Sequence, residues 1–308
     1  MSRRLRPDAC SHQSPRRKPG DCDVVHLGRA MPPAIAAQSH GAPAYTLPMH
    51  CRLTILLLSI MATAFAAPPA EVATPPAEVA RAPRQPRAKP LPIDMAVDSD
   101  LEIPPAATHH LGREIAQTMH YTGAPWLVRE SRQREEDCRL LLEALAVKEG
   151  QRICDLGCGN GFYTLEIARR VGPEGIVYAV DIQPEMLRMV ARQAADEGLM
   201  NVRPILGTFI DPRLPKGEVD LVLCVDVYHE FSHPEQMLAR IRESLAEGGQ
   251  LVLAEFRGED PAVPIKPLHK MTKAQIRVEL EPAGYRVARE FDRLPWQHLM
   301  FFEAGAGP

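Results

Sequence analysis

Apolar positions along the chain follow two regimes, and the change between them falls near residue 111. Beyond it, short unbroken apolar runs alternate with stretches in which apolar side chains recur every three or four residues. The recurrence predicts helices, and the runs predict strands buried on both faces. An amphipathic helix is expected over 132–146, with Leu140, Leu141, Leu142 and Leu145 toward one side, and further helices over 164–171, 184–197 and 272–283. Strands are expected over 152–156, 175–180, 202–206, 219–225, 251–256, 285–291 and 298–303. Ser232 and Glu235 are spaced as a capping box that starts one more helix, running through Met237, Leu238, Ile241 and Leu245 to a stop at Gly248 and Gly249. Strand and helix alternating at such short intervals call for an α/β fold: a mostly parallel sheet covered on both faces, with its ligand at the carboxyl ends of the strands.

Composition changes the picture for the front of the chain, where most of the 30 prolines lie. Residues 1–48 carry Arg3, Arg4, Arg6, Arg16, Arg17 and Lys18 without any apolar period, so they are expected to be disordered or an over-extended gene start, with Met49 as the true beginning. In 49–66, Arg52 precedes a nine-residue apolar run at 53–61 and Ala64-Phe65-Ala66 follows, the layout of a secretory signal peptide. That run is shorter than the ~20 residues of a membrane-spanning helix. A periplasmic or secreted protein with no stable membrane span is therefore expected, a cytoplasmic one being the alternative. Residues 67–108 repeat Pro-Pro-Ala-Glu-Val-Ala and read as a semi-rigid linker, which leaves 109–308 as the folded domain, with its core at 134–303. Past the leader, Cys138, Cys154, Cys158 and Cys224 form neither a disulfide framework nor a spaced zinc site. A net charge of −3, more acidic without the basic front, argues against a nucleic acid substrate.

Candidate chemistry begins with Gly157, Gly159 and Gly161, which alternate behind Asp155 at the end of the first strand. Asp181 ends the second strand about 20 residues later, where a doubly wound sheet presents a carboxylate to ribose hydroxyls. Four segments carry a resemblance: Asp-Leu-Gly-Cys-Gly-Asn-Gly at 155–161, Val-Asp-Ile at 180–182, Val-Asp-Leu-Val-Leu-Cys-Val-Asp at 219–226 and Glu-Gly-Gly-Gln-Leu-Val-Leu at 247–253. Together they resemble class I methyltransferases that use S-adenosyl-L-methionine. The resemblance implies a Rossmann-like sheet of seven strands with the last antiparallel. It also implies that Gly157, Gly159 and Gly161 approach the methionine part of the cofactor and that Asp181, followed by Ile182, accepts the ribose hydroxyls. Asp155 would orient the loop or the cofactor amine. Thr208 stands where many relatives place Asp or Asn against the adenine amine, so that contact departs from the family pattern.

Past the fourth strand, Asp226, His229 and Glu230 are candidates for catalysis: His229 as a base for the acceptor, Asp226 or Glu230 orienting it, with Asp226 also a candidate for the cofactor. His229 as a satisfied loop histidine is the bland alternative. Residues 258–271, with Lys266, His269 and Lys270, and 294–298 are expected to shape the pocket of a small-molecule acceptor. Tyr121, Trp126 and Trp296 line it or, the reading preferred for the tryptophans, belong to the core. None of the histidines falls into a metal-ligand spacing, so no metal is expected. Two rivals remain open, a nicotinamide-dependent oxidoreductase and a non-enzymatic cofactor-binding module, and the oligomeric state is left open.

Overall fold

Buried on both faces, the apolar runs of the sequence pair into one sheet in the computed structural model, which describes residues 88–305. The strands are β1 Arg152–Leu156, β2 Ile176–Asp181, β3 Val202–Leu206, β4 Val219–Val225, β5 Leu245–Phe256, β6 Tyr285–Phe291 and β7 Gln297–Ala304. Their spatial order is β3-β2-β1-β4-β5-β7-β6, and only β7 runs against the direction of the other six. Successive residues of a central strand serve opposite faces: Ile153 and Leu223 pack with α2 Cys138–Leu145, α3 Phe162–Val171 and α4 Pro184–Asp196, whereas Cys154 and Val222 pack with α5 Pro234–Ser244 and α6 Lys273–Leu280. That two-sided burial is why these strands read as unbroken apolar runs. Cys138, Cys154, Cys158 and Cys224 are all free and buried, and burial raises each thiol above its ordinary pKa.

Four expectations need correction. The helix expected over 132–146 breaks at Asp137, whose φ of 48° separates α1 Arg132–Glu136 from α2. The leucine stripe belongs to α2 alone, while α1 turns Arg132 and Glu136 inward, paired at 2.8 Å. Asp137 then caps α2 by accepting from the Leu140 N–H at 3.3 Å. The capping box at Ser232 does not form, because the Ser232 hydroxyl pairs with Nδ1 of His233 at 2.9 Å and α5 starts at Pro234 without a side-chain cap. Helix α5 also stops early, at Ser244, and both glycines lie within β5, Gly248 with a φ of 74°. A Cβ on Gly249 would lie 2.7 Å from the Val219 carbonyl oxygen, so the close approach of β4 and β5 explains a glycine there better than a helix stop does.

The fourth concerns the linker. The extension at 1–48, the leader at 49–66 and the linker up to 87 lie outside the described residues, but 88–108 is not a free tether. Leu91 is buried in the core and its N–H donates to the Ala191 carbonyl at 3.1 Å. Asp94 pairs alongside the edge strand β3, donating to Pro204 at 2.9 Å and accepting from Leu206 at 2.8 Å. Covering that edge satisfies backbone groups that would otherwise face solvent. A hairpin, His109–His110 against Arg113–Glu114, and a 3-10 run, Tyr121–Val128, then lead to α1. Arg113 forks onto Glu279 of α6 at 2.7 and 2.9 Å and donates to the His229 carbonyl at 2.9 Å, which fixes the turn after β4 from outside the sheet. Among the described residues no helix is long and apolar enough to cross a membrane.

Leu91→Ala is expected to lower the unfolding free energy by about 2 kcal/mol, as for other buried leucines. A denaturant midpoint equal to that of the parent chain would return 88–108 to the role of a tether.

Candidate active site

The carboxyl ends of β1, β2 and β4 open into a cavity of about 730 Å³, roofed by the segment from Gln117 to Arg129. Gly157 and Gly159 line it with φ of 72° and 54°, a region in which a side chain is strained. A Cβ at Gly157 would come 2.6 Å from the Val227 methyls, and one at Gly159 2.5 Å from Leu127 Cδ1. Bare main chain therefore forms this wall.

Asp181 ties the wall together. Its Oδ2 accepts from the Gly159 N–H at 3.0 Å and its Oδ1 from the Gln183 N–H at 2.8 Å, which leaves each oxygen a lone pair for a ligand. Burial lifts its pKa to about 6, against the pull of those two amides. Gln183, which the sequence reading passed over, extends the link to the roof: its side-chain oxygen accepts from the Tyr121 N–H at 2.7 Å and its amide donates to the Met119 carbonyl at 2.9 Å.

Other candidates divide. Ile182 lines the cavity. Asp155 does not, since it is buried behind the loop, accepts from the Thr164 hydroxyl at 2.6 Å and is pushed by burial up to about 6. Gly161 starts α3, and its missing side chain makes room for Val190, a packing role. Thr208 reaches the cavity, but its hydroxyl accepts from the Asp211 N–H at 2.9 Å and donates to the Asp211 carbonyl at 3.2 Å, so it locks its own loop rather than offering a group to adenine. Asp226 takes a left-handed φ of 54° and accepts from Gln297 at 2.8 Å through Oδ2, while its buried Oδ1 has no partner. Burial among other carboxylates holds its pKa well above the usual range.

The catalytic candidates meet on the same cavity with partners the sequence did not indicate. His229 is buried, and its orienting group is neither Asp226 nor Glu230 but Glu255 of β5, whose Oε2 lies 2.6 Å from Nδ1. Nε2 of His229 faces Nδ1 of His269 at 3.1 Å, and Glu230 Oε1 lies 3.9 Å from both nitrogens. No ligand spacing in the sequence joins these histidines, yet His229 and His269 converge from loops 40 residues apart. Burial works against a charged His229, but the Glu255 carboxylate outweighs it and raises the pKa. Burial also raises Glu230 to about 7, and burial with the neighbouring His229 lowers His269. Lys266 lines the cavity, whereas Lys270 is spent on the carbonyls of Asp260 and Val263. Trp126 corrects the core reading, since it lines the cavity at 50% exposure with the Arg129 guanidinium 3.8 Å over its ring. Trp296 is half-buried away from the cavity.

Bare main chain beside a carboxylate with free lone pairs fits a ligand that carries ribose hydroxyls. Comparison with known proteins agrees. Residues 147–288 match the family model described as methyltransferase domain. A nocamycin O-methyltransferase from Saccharothrix syringae is 40% identical over 115 residues, 37% of this chain and 41% of that protein. An aklanonic acid methyltransferase from Streptomyces is 30% identical over 131 residues, 41% of this chain and 59% of that protein. The chain thus spans less than two thirds of the length of these relatives. Among solved structures, an S-adenosylmethionine-dependent methyltransferase from Aquifex aeolicus superposes with a TM-score of 0.57 at 25% identity, covering 60% of this chain and 98% of that one.

Gln183→Ala removes its two bonds to the roof, each worth about 1 kcal/mol. Hydrogen exchange of the Tyr121 amide, which donates to Gln183, is expected to quicken roughly five- to thirtyfold, with the thermal midpoint little changed. Equal exchange in the two proteins would show that the roof is held by its apolar contacts instead.

Proposed function

The chain belongs, through residues 147–288, to the class I S-adenosylmethionine-dependent methyltransferases, and on that premise we propose that it methylates a small, mainly apolar molecule at a hydroxyl. The observation that carries this reading is the continuity of one cavity, lined at once by Gly157, Gly159 and Asp181 and by His229, Glu230 and His269. S-Adenosylmethionine supplies a methyl carbon whose C–S bond breaks with its electron pair returning to sulfur as the acceptor's lone pair forms the new bond. The protein's own contribution is alignment and exclusion of water. Gly157 and Gly159 would hold the methionine part and Asp181 the ribose. Phe209, Phe231, Phe256, Met237 and Trp126 give the cavity the apolar surface that suits a flat acceptor, and the imidazole and carboxylate wall is where its hydroxyl would lose a proton. The names of the two curated relatives, both methyltransferases of small molecules, support the acceptor class.

The oxidoreductase alternative falls with the family. The non-enzymatic one is met by experiment: incubation with labelled methyl donor and fractionated small-molecule extracts is expected to label a compound of low mass. Tight cofactor binding with no label in any fraction would favour the binding module.

Cofactor affinity should follow Asp181. Ribose hydroxyls bond best to the ionised carboxylate, whose pKa of about 6 in the free protein lies above the ordinary carboxylate range. Affinity for S-adenosylhomocysteine is therefore expected to be level above pH 7 and to fall, by up to tenfold per unit, as pH drops below about 6. Asp181→Asn should bind roughly ten- to a hundredfold more weakly near pH 7.5, the loss of charge-assisted hydrogen bonds, and flatten the profile. Calorimetry showing the same pH dependence in both proteins would remove Asp181 from that role.

The proposal includes export, on the leader pattern of 49–66. N-terminal sequencing of the native protein is expected to begin just after Ala66; a start at Met49 or earlier would remove the cleaved leader from the proposal.

A further inference from the structure

His229 and Glu230 stand in the turn after β4, and His269 in the 3-10 turn Pro267–His269 that follows β5. Their donor atoms form a triangle with sides of 3.1, 3.9 and 3.9 Å. The point equidistant from its corners lies roughly 2.1 Å from each, the length of Zn–N and Zn–O bonds. A hydrogen bond between two imidazoles explains the short side only. It explains neither the carboxylate that closes the triangle nor the group behind it.

That group is Glu255, fully buried, which accepts the Nδ1 proton of His229 at 2.6 Å and so turns the Nε2 lone pair toward the other two donors. A carboxylate behind an imidazole is the usual outer partner of a metal-ligating histidine. The local charge points the same way. Asp226, Glu230 and Glu255 share this wall, and among the described residues none is paired with a lysine or arginine.

We propose that His229 Nε2, His269 Nδ1 and Glu230 bind one divalent transition ion such as zinc, with coordination positions left open to the cavity. Two imidazoles and one carboxylate form a donor set of catalytic rather than structural sites and one poorly suited to magnesium or calcium. The site stands by itself; its role in holding the acceptor oxygen, whose proton would leave to water, rests on the methyl-transfer reading above.

The untagged full chain, stripped with a chelator, is titrated with zinc and, separately, with cobalt. One zinc per chain is expected, with Kd below about 1 μM, and cobalt should give visible bands of mixed nitrogen and oxygen coordination. His269 is partly exposed, so His269→Gln should fold, hold its thermal midpoint and still bind S-adenosylhomocysteine, while zinc affinity falls at least about tenfold. Glu255→Gln, which keeps the shape but not the charge, should weaken zinc by about ten- to a hundredfold. Absence of stoichiometric zinc, or a His269→Gln protein that binds it as the parent does, overturns the site. Zinc binding that depends on His269 in a chain without affinity for S-adenosylhomocysteine upholds the site and overturns the methyl-transfer reading instead.

Discussion

One buried carboxylate organises the cofactor end of the cavity. Asp181 sits at the tip of β2 and accepts from the backbone of the glycine loop on one side and from the start of α4 on the other. A side chain on Gly159 would collide with Leu127 of the roof, and Gln183 reaches back to the same roof, so loop, strand tip and roof are braced against one another. Neutralising Asp181 would weaken the acceptor that braces the loop as well as any bond to ribose. Structure and binding therefore draw on the same two oxygens, and a ligand meets a site already in shape.

The opposite wall is built differently. Where the glycine side relies on backbone and lacks side chains, this side gathers titratable groups from the turns after β4 and β5, steadied from behind by Glu255 and from outside by Arg113 on the His229 carbonyl. A left-handed Asp226 begins the turn that delivers them. Such strain, with an unpartnered Oδ1, belongs where surrounding bonds over-determine the backbone, and the Asp226 N–H to Ala254 at 2.8 Å and the Gln297 contact supply them.

What could be read from the sequence was local. Strands buried on both faces, glycines at alternate positions and an aspartate at a strand tip each follow from a few adjacent residues, and the sheet and its single antiparallel strand came out as expected, with Asp181 bonded to the glycine loop. Partnerships between distant segments did not. Glu255 left one trace, a charge inside the apolar run of β5, which should have prompted the question of what neutralises it. His269 was legible as a pocket residue but not as the partner of His229, because 40 residues of separation leave no spacing to reveal the pair. The break at Asp137 was hidden for another reason: α1 and α2 share a helical pattern but face different neighbours, and tertiary context decides.

The four described cysteines have a bearing on durability. All are unbridged and shielded, with thiols held in the protonated, unreactive form. None of these buried thiols offers a thiolate to attack the disulfide of an oxidant, and among the described residues there is no disulfide for glutathione to reduce. Its fold is thus indifferent to the redox poise of the surroundings and would keep the same covalent form on either side of a membrane.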